Sequence, residues 1–339
     1  MAKLRIGVLY DYWWDEDEER VEGERPKKKS PDQDVQAVYE ALKKIGHNPV
    51  FVRLDGTPES LIDLARSQTD LLFNLVESFG GDDSQDTNIG GYLELLGRRF
   101  TGAGSSGLYL AQDKALAKKI FTFHGIHTPY FSTVYRGRTE HSHDIKFPVI
   151  VKPAREDGSI GIHFGAVCDS IKELMERIDY IHAEFDTPAL IEEYVEGREL
   201  YLGVIGNEKA EALPVVELDL SKLPAGIPKI AGAEVKWEED TPAYKATKPF
   251  FPDDLDEEVV KRLSETAVQA FQALQLHDYG RIDFRLAKDG TIHVLEVNPN
   301  PYLLPSAEFA MAAKKSGRSY AETIGKIVDL AMARYSSSG

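Results

Sequence analysis

At 339 residues, 42% hydrophobic and 28% charged, the chain has the composition of an ordinary globular protein of two or three domains. A formal net charge of −16 argues against a nucleic-acid partner, which needs clustered Lys and Arg, but leaves room for nucleotides, which local features bind. One cysteine, Cys168, excludes an intramolecular disulfide and a multi-cysteine zinc site. Its apolar setting marks it as a buried structural thiol. With no signal peptide and no apolar run long enough to span a bilayer, a cytoplasmic protein without membrane contact is expected.

LRIGVLYDY (4–12) predicts a first strand that ends in aromatic and polar residues. The charged loop after it, WDEDEERVEGERPKKKS (14–30), is either solvated surface or, given its place after a sheet strand, a substrate contact. Ser30 and Pro31 cap a helix whose Val35, Val38, Tyr39, Leu42 and Ile45 recur at helical spacing. NPVFVRL (48–54), ESLIDLARS (59–67) and DLLFNLV (70–76) complete a strand–helix–strand–helix–strand series, hence a parallel sheet covered on both faces. A Gly- and Asp-rich loop follows from residue 77, then the helix IGGYLELL and, in 98–107, an edge strand and loop. Residues 105–125 read as one amphipathic helix with Lys114 in its middle, beside Lys118 and Lys119 as solvent lysines.

FPVIVKPAREDGSIGIHFGAV (147–167) reads as strand, loop, strand. Lys152 ends the first strand. In the loop, Gly158 and Gly161 let backbone N–H groups approach a phosphate and Ser159 adds a donor. Ser170 caps a helix over 170–183. ALIEEYVEGRELYLGVIGN (189–207) predicts two strands around a turn at Glu196-Gly197. The long segment 221–252, with Lys236, Trp237, Tyr244, Lys245 and Lys248, has the length of a functional or disordered loop. Helices are expected at 256–275, 305–317 and 318–335.

Between them lies RIDFRLAKDGTIHVLEVNPNP (281–301), two alternating strands around the turn KDG. Ile282, Phe284 and Leu286 point one way, and Arg281, Asp283 and Arg285 the other. Asp283, Glu296 and Asn298 converge at one end of the hairpin. Carboxylates in apolar strands need a partner, and three oxygen donors together suit a hard cation such as Mg²⁺.

These segments resemble the ATP-grasp fold and, within it, the D-alanine–D-alanine ligase family, over about residues 70–335. The likeness rests on LLFNLVESFGGDDSQDTNIGGYLELLGRRFTGAG, LAQDKALAKKIF, FPVIVKPAREDGSIGI, LIEEYVEGRELYLGVIGN and RIDFRLAKDGTIHVLEVNPNP. It implies an α/β architecture with an N-terminal parallel-sheet domain (1–104), a central ATP-grasp lobe (105–191) and a C-terminal lobe with the metal site (192–339), the two α+β lobes clasping ATP. It further implies that Lys114 and Lys152 contact the phosphates and that Gly158, Ser159 and Gly161 close over them. Glu192 with the backbone of Tyr194 and Val195 would hold adenine, and Glu199 the ribose. Asp283, Glu296 and Asn298 would bind two Mg²⁺ ions, with Mn²⁺ a possible substitute. Arg281 would reach the acyl phosphate and Lys245 the γ-phosphate. The implied activity is ADP-forming ligation of a carboxylate to an amine through an acyl phosphate, on small amino-acid-like substrates, and related ligases are commonly homodimers.

The departures from the family fall in the substrate site. The first strand runs into YDYWWDEDEER (10–20) in place of a Gly-rich turn and Ser-Glu. Glu77-Ser78 stands where the family has His-Gly, and Gly158 where it has a serine. After Asn298 the chain reads PNPYLLPSAEF, with Tyr302 at a glycine position and Ser306 shifted from the family's serine. The ATP half matches and the amino-acid half does not. Glu77, the 15–19 acidic run and Asp82/Asp83 suit a cationic or amine-bearing substrate, walled by Tyr12, Trp13, Trp14 and Tyr302. Three alternatives stay open: a true D-alanine–D-alanine ligase, a non-catalytic ATP-binding regulator, and a carboxylate kinase that stops at the acyl phosphate.

Overall fold

β1 (Arg5–Asp11), α1 (Gln33–Lys44), β2 (Asn48–Leu54), α2 (Pro58–Arg66) and β3 (Leu71–Asn74) wind into a parallel sheet in the order β2-β1-β3. In this computed structural model residues 3–11, 32–136, 138–141, 146–185, 187–236 and 240–336 are described. Ser30, Pro31, the aromatic run at 12–14, the acidic run at 15–19 and Trp237 lie outside them. The residue at the cap position of α1 is Asp32. One face of the sheet is covered by Val35, Val38, Ala41 and Leu42 of α1. The other is covered by Leu64 of α2 and by Ile89 and Leu93 of α3 (Asp86–Leu95). The expected edge strand is a single bridge from Phe100 to Leu72.

The helix read over 105–125 is two helices, α4 (Ser105–Gln112) and α5 (Lys114–Phe123). Asp113 breaks it: its backbone leaves helical geometry at ψ 91°, and its carboxylate accepts the Leu116 N–H at 2.9 Å as the cap of α5. Lys114 is therefore the first residue of a helix, not the middle of one.

β4 (Phe131–Tyr135), β5 (Arg138–His141), β6 (Val149–Pro153), β7 (Val167–Cys168) and, after α6 (Ile171–Glu184), β8 (Ala189–Glu193) form a second sheet in the order β5-β4-β8-β6-β7. Ile178 and Ile181 of α6 pack on Val149, Val151 and Cys168, which is buried as expected. β9 (Gly197–Ile205) does not pair with β8. It is the centre of a third sheet with β10 (Glu211–Ala212) and β11 (Val216–Leu218). The chain crosses between sheets at 194–196, where a hairpin turn was expected, and the expected division at 191/192 falls inside β8.

The long segment folds into α7 (Ala233–Lys236), α8 (Pro242–Ala246) and β12 (Pro249–Phe250). α9 (Glu257–Ala273), β13 (Tyr279–Ala287), β14 (Ile292–Pro299), α10 (Glu308–Lys315) and α11 (Tyr320–Ser336) close the chain. The third sheet runs β12-β11-β9-β13-β14, with β10 on β9. α4, α5 and α9 bury Leu108, Phe121, Leu263 and Phe271 against it. Among the described residues no helix is long and apolar enough to cross a membrane.

Asp278, fully buried just before β13, ties these parts together. It accepts the Gly102 N–H at 2.8 Å, the Asn207 amide at 3.1 Å and the Arg334 guanidinium at 3.0 Å. Replacing one partner of a buried charge pair leaves the other uncompensated. Asp278→Ala is expected to lower the unfolding free energy by about 3 kcal/mol in urea titrations; a loss below about 1 kcal/mol would show that the hub is not a stability determinant.

Candidate active site

Pairing of β13 with β14 sets Arg281 opposite Asn298 and Asp283 opposite Glu296, then slips, so that Phe284 faces Val294. Leu295 is the extra residue of a β-bulge. Val294 and Val297 both reach the apolar core with Ile282 and Phe284, which strict alternation would forbid for residues three apart. The bulge re-aims the strand, and Glu296 and Asn298 emerge beside Asp283 and Arg281.

Asp283 is bound by Arg281 through both oxygens, at 2.7 and 2.9 Å. Burial still pushes its carboxyl up to about 6. Burial would raise Glu296 too, but Lys114, Lys236, Lys152 and Arg281 hold it at about 2. The Asn298 amide nitrogen is buried without a hydrogen-bond partner. Among the described residues no three His, Cys, Asp or Glu side chains gather where a metal could sit. Asp283, Glu296 and Asn298 are two carboxylates and an amide. This sparse set fits Mg²⁺, which takes one or two carboxylates and fills its remaining positions with phosphate and water oxygens.

α5 brings two lysines to this face. Lys114 Nζ donates to the Glu156 carbonyl, lies 3.0 Å from Asp157 Oδ1 and 3.7 Å from Glu296 Oε2. Burial alone would push its ammonium down, but Asp157 and Glu296 outweigh it and hold it raised. Lys118, read as a solvent lysine, is instead fully buried: it bonds Thr128 at 2.7 Å and lies 3.3 Å from Glu192 Oε1. Its four-residue spacing from Lys114 puts both on one helix face, and that spacing was the available signal. Lys152 takes the other Glu192 oxygen at 3.0 Å. One buried carboxylate thus serves two lysines, and burial, opposed by Glu192 and reinforced by Lys152, pushes Lys118 down to about 8.

Gly158, Ser159 and Gly161 all adopt positive φ, at 60°, 65° and 68°. A Cβ on Gly161 would meet Pro153 at 2.7 Å and Phe185 at 2.8 Å. The Ser159 hydroxyl donates to the Ala231 carbonyl at 2.9 Å, and Arg177, buried on α6, donates to the Gly161 carbonyl. Arg177 as a support of the loop was not expected. Glu199 is taken up by Arg285 at 2.7 Å and by the Tyr201 hydroxyl at 2.9 Å. The Tyr194 N–H donates to the Pro148 carbonyl and its hydroxyl accepts the Lys229 N–H; Val195 is half-buried beside it.

Two expected residues stand apart from this cluster. Lys245 is 63% exposed and bonds the Asp240 carbonyl, whereas Lys236 of α7 is the lysine whose charge reaches Asp283 and Glu296. Ser306 is exposed, and Glu308, two residues on, lies 3.6 Å from Arg281 Nη1.

Acids line the side of the N-terminal sheet. Asp11, at the end of β1, accepts the Glu77 N–H at 3.0 Å and the Ser78 hydroxyl, which fixes the turn after β3. The Glu77 side chain reaches solvent, yet the protein packed around it and the charges of Asp11, Asp34 and Asp83 push it up to about 7. Burial, with Glu156 and Asp11, raises Asp83 to about 6, and burial raises Asp86 to about 7. One buried oxygen of Asp83 has no hydrogen-bond partner. Among the described residues no Lys or Arg forms an ion pair with Asp34, Glu77, Asp83 or Asp86. Tyr302 is 45% exposed on the segment after β14.

Residues 120–329 match the family described as D-ala D-ala ligase C-terminus. The uncharacterized protein y4sG of Sinorhizobium fredii is 32% identical over 89% of this chain and 88% of its own. The D-alanine–D-alanine ligase of Aquifex aeolicus is 32% identical over 86% and 92%. The fold is that of the crystal structure of D-alanine–D-alanine ligase from Bacillus anthracis complexed with ATP (TM-score 0.70, 20% identity, 99% of this chain and 100% of that one). It is also that of VanG D-Ala:D-Ser ligase from Enterococcus faecalis (TM-score 0.73, 21% identity, 97% and 100%).

Because Glu77, Asp83 and Asp86 titrate above the ordinary carboxylate range, these three groups hold more protons in the folded protein than in the unfolded chain between about pH 4 and 7. Their contribution to stability therefore falls as pH rises through that window, while His47, His163, His277 and His293, which burial holds below the usual imidazole range, act the other way. Glu77→Gln is expected to raise Tm by about 2 °C more at pH 7.5 than at pH 5, a small gain because Glu77 reaches solvent. Thermal unfolding of both proteins checks this; parallel profiles would remove Glu77 from the account.

Proposed function

The chain belongs to the D-alanine–D-alanine ligase family, and on that footing we propose that it is an ADP-forming carboxylate–amine ligase acting on amino-acid-like substrates other than two D-alanines. The observation that carries the reading is the charge layout of the cleft. Buried lysines Lys114, Lys118 and Lys152 face Asp283, Glu296 and Asn298 on the nucleotide side, and on the other side stand Glu77, Asp83 and Asp86, with which no Lys or Arg among the described residues forms an ion pair.

In this reading Lys114 and Lys152 hold ATP phosphates. The Asp157 carboxylate and Glu156 carbonyl occupy Lys114 until a phosphate replaces them. Mg²⁺, held by Asp283, Glu296 and Asn298, supplies charge neutralisation at the phosphates when bound. The substrate carboxylate attacks the γ-phosphorus and ADP leaves; the amine then attacks the acyl carbon, loses a proton and expels phosphate. Arg281, oriented by Asp283 and Glu308, is placed to neutralise the oxygen that gains charge at the acyl carbon. Lys236 takes the γ-phosphate role expected of Lys245. The loop with Gly158, Ser159 and Gly161 excludes water from the acyl phosphate, which water would hydrolyse. Glu77 and Asp83 attract an amine-bearing substrate.

The test is phosphate release from ATP with a matrix of amino acids and dipeptides, with mass spectrometry of products. Turnover should require Mg²⁺ and stop with EDTA. Asp283→Asn and Lys152→Met should each lower kcat/KM about 100-fold or more. Tight ATP binding without phosphate release from any pair would make the protein a regulatory binder. A hydroxylamine-trapped acyl phosphate with no amide product would make it a kinase. D-alanine alone serving as well as any other pair would return it to the reaction named for its relatives.

A further inference from the structure

Resting on the ligase reading, the outer edge of Arg281 carries a feature that orienting this residue does not require. One acid already completes the guanidinium: Nε and Nη2 meet the two Asp283 oxygens at 2.7 and 2.9 Å. The Tyr201 ring lies against its face, with 5.1 Å from the guanidinium carbon to the ring centre. Glu308 of α10 nevertheless turns a second carboxylate to the remaining edge, its Oε2 standing 3.6 Å from Nη1. The Arg281 side chain is 14% exposed and that of Glu308 27%, so this pair lies at the rim of the site, where a ligand can reach it from solvent.

The position of Glu308 in its helix explains little of this. It stands in the first turn of α10, where the helix dipole favours an acid. A carboxylate turned to solvent would satisfy that preference equally. A second carboxylate on a guanidinium that a bidentate partner has neutralised gains little attraction and meets the repulsion of the first. The edge is therefore left with two carboxylates on one cation, and Glu296 stands opposite Asp283 across the hairpin.

That surplus bears on the amine substrate. In the proposed reaction its nitrogen approaches the acyl carbon beside Arg281. In a free α-amino acid the carboxylate is two bonds from that nitrogen, so it arrives at the same edge. There Glu308 already faces the N–H donors that it needs, and two carboxylates competing for one edge repel. An amine whose neighbouring carboxyl group is missing, or already in an amide bond, brings no such charge, and Glu308 attracts its ammonium form. Repulsion built against the wrong ligand separates substrates as effectively as contacts made to the right one.

We infer that Glu308 is a specificity-determining residue of the amine subsite, admitting an amine without a free α-carboxylate and rejecting free α-amino acids.

The full-length protein with ATP and Mg²⁺ is assayed with each amino acid as the carboxylate substrate. The amines are glycine, glycinamide, glycylglycine and ethylamine, and each enantiomer of alanine with its amide; mass spectrometry identifies the products. Wild type should use the best of the uncarboxylated amines about tenfold or more better in kcat/KM than the matching free amino acid, the amide, dipeptide and ethylamine arms deciding which kind fits. In Glu308→Gln the preference should fall about tenfold, through a lower KM for the free amino acid, and in Glu308→Asp it should be largely kept. The ratio of variant to wild type cancels the intrinsic difference in nucleophilicity between the amines. A merely structural role would lower turnover with every amine alike and leave the preference unchanged. If Glu308→Gln does not fold, Glu308→Ala carries the test. Equal use of glycine and glycinamide by wild type, or an unchanged preference in the variant, would overturn the inference while the ligase reading stands. If no pair releases phosphate, the ligase reading fails, and binding decides the inference. With a non-hydrolysable ATP analogue and Mg²⁺, glycinamide should then raise the wild-type Tm more than glycine does, and the gap should close in Glu308→Gln. Equal shifts in wild type would overturn it.

Discussion

One extra residue in β14 determines what the cleft can do. Without the bulge at Leu295, a strand that buries Val294 would place Glu296 on the same apolar face, where a carboxylate is prohibitively costly. With it, Val294 and Val297 both stay in the core and Glu296 and Asn298 turn to Asp283 and Arg281. The register of β13 against β9 then adds Tyr201 and Glu199 to the same face, opposite Asp283 and Arg285. Core and site are therefore built from one hairpin, and the slip in its pairing separates them.

The buried charges around that face are unbalanced in an informative way. Lys114, Lys118, Lys152 and Lys236 act on Glu192 and Glu296, with Asp157 of the loop as a further, half-exposed partner. Lys118 and Lys152 share a single carboxylate, and two cations on one anion in a low-dielectric setting leave Lys118 titrating near 8. A buried ion pair seldom stabilises a fold by itself, so two buried lysines sharing one carboxylate are weak as architecture. It suits the binding of a polyanion, since phosphate oxygens supply the missing negative charge and can take over Lys114 from Asp157. Glu192 keeps the lysines in place in the meantime.

What was legible in the sequence follows from how local each signal is. The two faces of the hairpin could be read from alternation, and Asp283, Glu296, Asn298, Lys114 and Lys152 could be named, because strand periodicity and strand-end position are local properties. The helix break at Asp113 was missed because apolar spacing continues across it; only a side-chain cap ends the first helix. The separation of β8 from β9 was missed because strands either side of a short Gly-containing link imitate a hairpin, and nothing local says which sheet each will join. Lys118 and Lys236 were passed over for a different reason. Burial of a lysine is decided by the carboxylate that meets it, and Glu192 and Glu296 are brought to them from distant strands. Glu308 likewise acquires meaning only through Arg281.

The acidic side obeys the opposite logic from the lysine side, and the contrast is chemical. In the proposed reaction phosphoryl transfer concentrates negative charge, which suits cations already paired with acids that they can exchange for phosphate. On the side proposed for the amino acid the fold holds carboxylates near one another, and among the described residues no Lys or Arg forms an ion pair with them, at a cost in stability that falls on Glu77, Asp83 and Asp86 together. A fold that needed only a solvated surface there would let these groups spread into water. Instead Asp11 uses both oxygens to fix the turn that carries Glu77. Fixing acids in place is what a site must do if its ligand is to arrive as a cation and find its partners already oriented, because reorganising them at the moment of binding would consume the electrostatic gain.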